Sequence, residues 1–126
     1  MTSPKKILLV DDSPTVLAME RMVLGRAGYA LVSATNGQEA LALARTERPD
    51  LVLMDVIMPQ MNGFEACAAL RASADTAALP VILVTTRSEP EHVEAGYEAG
   101  CNDYVTKPFN PAELLAKVAG LLGEGA

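Results

Sequence analysis

Residues 51–63 read LVLMDVIMPQMNG. Four aliphatic side chains, Leu51 to Met54, run without a break into Asp55, and Pro59, Asn62 and Gly63 close the stretch with turn formers. A strand with one wet face alternates apolar and polar residues. An unbroken apolar run bounded by turn residues is instead how a strand covered on both faces reads, as in a parallel sheet packed between helices. Residues 7–10 (ILLV) and 81–84 (VILV) repeat the pattern, and Ala30–Ala34 and Asp103–Thr106 are weaker strands of the same kind.

Helical periodicity fills the gaps. Val16, Met19, Val23 and Ala27 recur at three- and four-residue steps, and Leu114, Leu115, Val118, Leu121 and Leu122 draw a second stripe. Asn36, Asn62, Ser88 and Asn110 each stand three residues before a glutamate, the spacing of a capping box, and Ser13-Pro14 adds a fifth start. Gly28 and Gly100 mark stops, with Pro49 and Pro80 just before the third and fourth strands. The order is strand–helix five times over. Such alternation predicts an α/β fold with right-handed crossovers and helices on both faces of a parallel sheet.

The chain of 126 residues is one domain in size, with a core at 5–122 and a short frayed tail at 123–126. Half of it is apolar and 21% is charged, a globular composition. No apolar run is long enough to span a bilayer, and the start, MTSPKKILLVDD, is not an export signal, so the cytoplasm is the expected compartment. A net charge of −6, two Phe, three Tyr and no Trp argue against a nucleic-acid surface. Cys67 and Cys101 lack metal-ligand spacing and read as buried thiols.

In open α/β sheets, ligands bind beyond the carboxyl ends of the strands. Asp11 and Asp12 follow the first run, Asp55 the third, Thr85 and Thr86 the fourth, and Lys107 with Pro108 the fifth. Taken singly, each has an ordinary reading: a turn, a strand end, a solvated charge. Delivered to one edge, three carboxylates repel each other unless a cation joins them. Oxygen donors without histidine or thiolate favour Mg²⁺, with Mn²⁺ as a substitute. Lys107 can pair with an incoming phosphoryl group, and one aspartate can act as nucleophile toward it. The pattern is that of a phosphoryl-transfer site.

DDSP at 11–14, LVLMDVIMPQMNG at 51–63, VTT at 84–86 and DYVTKPF at 103–109 resemble bacterial two-component response-regulator receiver domains, the chemotaxis-type regulators among them. The resemblance implies a flavodoxin-like (βα)5 three-layer sandwich with strand order 2-1-3-4-5. It implies that Asp55 accepts the phosphoryl group, and that Asp12, Asp55 and the Ile57 carbonyl ligate Mg²⁺ with Asp11 acting through water. Thr85 and Lys107 would close on the phosphoryl oxygens, Tyr104 would be the aromatic switch, and the Lys107–Pro108 bond is usually cis in the family. Ile57 and Arg87 occupy the two positions that tune phosphoryl lifetime. The implied partners are a sensor histidine kinase or phosphotransfer protein upstream. Downstream, a protein would dock on the fourth helix, fifth strand and fifth helix, with Ala95, Gly96, Tyr97 and Lys117 as contact points. A monomer or weak dimer is expected, either standing alone or as the receiver part of a longer regulator. An FMN carrier of the same fold would need a hydroxyl- and glycine-rich loop where Asp11 and Asp12 stand, and an aspartate-nucleophile phosphatase would carry a second aspartate at position 57.

Overall fold

The computed structural model describes residues 4–86 and 89–123. Five parallel strands, β1 (Lys6–Val10), β2 (Ala30–Ala34), β3 (Leu51–Asp55), β4 (Val81–Thr85) and β5 (Asp103–Thr106), form one sheet in the order β2-β1-β3-β4-β5. Five helices connect them: α1 (Pro14–Arg26), α2 (Gly37–Thr46), α3 (Gly63–Ala72), α4 (Pro90–Glu98) and α5 (Pro111–Leu121). The expected fold class and strand order are both present. β3 and β4 are buried along their whole length, as their unbroken apolar runs require.

Strand alternation sorts the core into two layers. Ile7, Leu9, Leu51, Leu53, Ile82, Val84 and Val105 meet Leu17 and Leu24 of α1 and Leu114 and Val118 of α5. Leu8, Val10, Val52, Met54, Leu83 and Tyr104 face the other way, toward Ala40 and Ala44 of α2 and Ala66, Cys67 and Leu70 of α3.

The helix starts follow the sequence with differences. Asn62 and Glu65 form the full reciprocal capping box of α3. In α2, Asn36 accepts from the Glu39 N–H, but the Glu39 carboxylate reaches the Thr35 N–H instead of closing the box. Asn110 accepts from both Ala112 and Glu113 N–H. Ser88 lies outside the described residues; α4 begins at Pro90, with Glu89 as a cap that makes no side-chain bond.

The largest correction concerns α1. Its buried residues are Leu17, Glu20 and Leu24, whereas Met19 is half exposed and Ala27 lies on the surface. The buried stripe is therefore turned away from the expected Val16–Met19–Val23–Ala27 line. An acid stands in the middle of the real one, and this hides it from a search for apolar periodicity.

Candidate functional site

Parallel register brings four strand ends to one edge. Val10 pairs with Met54, so Asp11 and Asp55 leave neighbouring strands side by side. Asp55 pairs with Val84, which puts Thr85 one residue beyond it. Thr85 pairs with Thr106, and the Lys107 N–H donates to the Thr85 carbonyl at 2.7 Å. Asp11, Asp12, Ser13, Asp55, Ile57, Thr85, Thr86 and Lys107 line a single open cleft of about 410 Å³.

Within it, each of Asp11, Asp12 and Asp55 offers a carboxylate oxygen within 4.8 Å of the others. Asp11 is buried; one of its oxygens accepts from the Ser13 N–H at 2.9 Å and the other from Lys107 Nζ at 2.9 Å. Lys107 Nζ also lies 3.3 Å from Asp55 Oδ1. Asp12 is exposed at the rim. Burial and then the negative charge of Asp11 push the Asp55 carboxyl above its usual range, against the opposing pull of Lys107. Burial pulls the Lys107 ammonium down, but its hydrogen bond to Asp11 and the charges of Asp55 and Asp11 outweigh that and leave the ammonium above its usual value. Crowded hard oxygens with no sulfur or imidazole suit a small divalent cation, which would relieve that repulsion. The residues fit such an ion.

The Lys107–Pro108 peptide is cis, as the resemblance implied. Gly63 opens α3 against the end of β3, where an added Cβ would lie 2.5 Å from the Asp55 carbonyl oxygen and 2.9 Å from Val56 Cα. Both are backbone atoms, so only glycine permits the approach that seats Asp55.

The remaining candidates divide. Thr85 is fully buried at the end of β4, and Ile57 is half exposed at the mouth of the cleft. Tyr104 is buried on β5, with its ring against α4, where a Cβ on Gly96 would lie 3.1 Å from Tyr104 Cδ2. Arg87 lies outside the described residues. Gly96 corrects an expectation: it is buried against Tyr104 and Leu83 and offers nothing to a partner. Tyr97 beside it is half exposed, and Lys117 is tied to Asp103 at 2.8 Å. The sequence reading missed Glu20, which is buried on α1 and feels the charges of Asp11, Lys107 and Asp55. Leu17 and Leu24, seven apart with an acid between them, were the available signal.

The model of the response regulator receiver domain matches residues 7–119. The chain belongs to the response-regulator receiver family. It is 43% identical to protein PilH of Pseudomonas aeruginosa over 93% of this chain and 97% of that protein. It is 40% identical to the alkaline phosphatase synthesis transcriptional regulatory protein PhoP of Bacillus subtilis, of which it spans only 48%. Among solved structures, a chemotaxis protein of Vibrio cholerae is 37% identical with a TM-score of 0.88, over 94% of this chain and 98% of that one. The receiver domain of a sensor histidine kinase from Pseudomonas aeruginosa is 32% identical with a TM-score of 0.89, over 95% of this chain and 98% of that one. Its crystal structure has a magnesium ion coordinated in the active-site cleft. This receiver therefore works in two-component signalling, as a switch and not as a conventional enzyme. No helix among the described residues is long and apolar enough to cross a membrane.

Proposed function

We propose that Asp55 accepts a phosphoryl group from a sensor histidine kinase or phosphotransfer protein, and that the receiver changes its partner-binding face in response. The observation that carries this reading is the Lys107 ammonium held between Asp11 and Asp55, beside three carboxylates able to share one cation. An Asp55 oxygen attacks phosphorus in line; the bond to the donor imidazole breaks, and its electron pair leaves with the imidazole. Mg²⁺, or Mn²⁺ in its place, would be held by Asp12, Asp55 and the Ile57 carbonyl with Asp11 acting through water, and supplies charge neutralisation at the transferring group. Lys107 exchanges a carboxylate partner for a phosphoryl oxygen, and the Thr85 hydroxyl turns to the same group.

Switching follows as a shift between two states. The phosphoryl dianion favours the arrangement in which Thr85 and Lys107 close on it. Tyr104 is the side chain that carries the change to α4, and the face of α4, β5 and α5, with Tyr97 and Lys117 exposed or half-buried, receives a downstream protein. Incubation with acetyl phosphate and Mg²⁺, followed by intact-mass measurement, tests the acceptor. The wild-type chain gains one phosphoryl mass and Asp55→Asn gains none; uptake by Asp55→Asn would overturn the assignment. Ile57, apolar at the cleft mouth, cannot orient a water for attack on the acyl phosphate. The phosphoryl group is therefore expected to outlast seconds in purified protein with Mg²⁺, and loss within seconds would refute this.

A further inference from the structure

The edge of the sheet opposite the acidic cleft carries a second polar cavity, of about 230 Å³. It lies between the α2–β3 turn and the α3–β4 connection, at the amino ends of the strands. Arg45 and Arg48 line it from one side and Asp75 from the other, with Ala44, Pro49 and Leu79 as an apolar wall. The phosphoryl-transfer steps use none of these residues.

The two guanidinium groups of this cavity are short of anions. Elsewhere Lys6 pairs with Glu47, Lys107 with Asp11 and Asp55, and Lys117 with Asp103. Arg71 donates to the Leu79 and Gly100 carbonyls and to Asn102. Arg45 and Arg48 have no ion-pair partner among the described residues. The acids nearest them in the chain are turned away: Glu47 accepts from Lys6 Nζ at 3.2 Å, and Asp50 from the Lys6 N–H at 2.8 Å. The carboxyl end of α2 attracts a cation and accounts for Arg45 in its last turn. It does not account for Arg48, which stands beyond the cap with φ at 47°. Glycine takes that backbone conformation freely, whereas a residue with a side chain adopts it rarely and at a cost. The chain nevertheless sets an arginine there, lining the cavity.

We propose that Arg45, Arg48 and Asp75 form a binding site for a small phosphate monoester that also carries an ammonium group. A guanidinium presents a planar fork of donors matched to phosphate oxygens, and two of them balance a dianion. Asp75, itself without an ion-pair partner among the described residues, accepts from the ammonium of the same ligand. The apolar wall takes a short carbon body, and the volume suits a ligand of few carbons. The chain as a whole carries a net charge of −6 and repels anions, so the affinity comes from these local groups. The site is separate from the acidic cleft and does not depend on Asp55 being the phosphoryl acceptor.

Titration of O-phosphoethanolamine into the full isotope-labelled chain, in EDTA and followed by amide chemical shifts, tests the site. Saturable shifts are expected at residues 44–49 and 75–79 and not at Asp11, Asp12 or Asp55. Arg48→Gly relieves the backbone and should fold; it weakens binding by about tenfold or more, and Arg45→Gln does likewise. Asp75→Asn weakens O-phosphoethanolamine by about three- to tenfold and leaves the affinity for inorganic phosphate unchanged. Succinate, a dianion without phosphate or ammonium, should bind more weakly, and equal affinity for it would overturn the choice of ligand. Shifts confined to the acidic cleft, no saturable shifts, or equal affinity in the wild type and both arginine variants would overturn the site.

Discussion

The two layers of the core are built from different side chains and do different work. Toward α1 and α5, leucine, isoleucine and valine dominate, and α1 adds the buried acid Glu20 between Leu17 and Leu24. Toward α2, α3 and α4, leucines and valines such as Leu8, Val52, Leu70 and Leu83 share the layer with smaller or softer residues: Ala40, Ala44, Ala66, Cys67, Cys101, Met54 and Met58, with Gly96 beside Tyr104. β-Branched side chains are stiff at χ1, whereas methionine, with three rotatable bonds, adapts to irregular gaps. The acids of the cleft lead straight into α1 on the stiff side. Leu83, Thr85 and Tyr104 point to the soft side, where Leu83 is the register partner of Tyr104.

The contrast can be broken by substitution. Leu53→Ala on the branched side should cost about 3–4 kcal/mol in urea unfolding, against about 1 kcal/mol for Cys67→Ala on the soft side, because a larger cavity is left. Equal costs would mean the two layers are packed alike.

Glu20→Leu should do the opposite and stabilise the cation-free protein at pH 8, by on the order of 3 kcal/mol. Burial first, and then the charge of Asp11, push the Glu20 carboxyl up to about 8 in the folded chain, from an ordinary 4.5. Its protonated form therefore supports folding fully below pH 4.5, and that support is lost as pH rises through about 8. The stability difference between wild type and variant should grow across that window, and pH-dependent unfolding that stays parallel for the two would refute the buried acid.

A smaller effect tests the soft side. Gly96→Ala sets a methyl group 3.1 Å from Tyr104 Cδ2 and 3.3 Å from Leu83 Cδ1, inside ordinary contact. A loss of about 1–2 kcal/mol with an altered near-ultraviolet tyrosine signal is expected. An unchanged signal and full stability would show that the ring yields freely.

Much of this was legible in the chain. Strands covered on both faces need continuous apolar runs, and residues 7–10, 51–54 and 81–84 supply them. Helix starts announce themselves because exposed N–H groups need acceptors, and Asn36, Asn62 and Asn110 are those acceptors. The phase of α1 was not legible, because periodicity counts apolar residues and Glu20 breaks the count. Nor was the burial of Gly96, since α4 presents little else to the core and a glycine has no side chain to reveal its face.

What the sequence by itself determined is the order of elements and the chemistry at each strand end, because both are local: a run, a cap, or an acid after the last apolar residue. Only the tertiary structure decided how those ends meet. Parallel register set the Lys107 ammonium between Asp11 and Asp55, and helix packing turned an acid of α1 inward. Distances between residues far apart in the chain depend on how whole elements pack, and no local pattern encodes them.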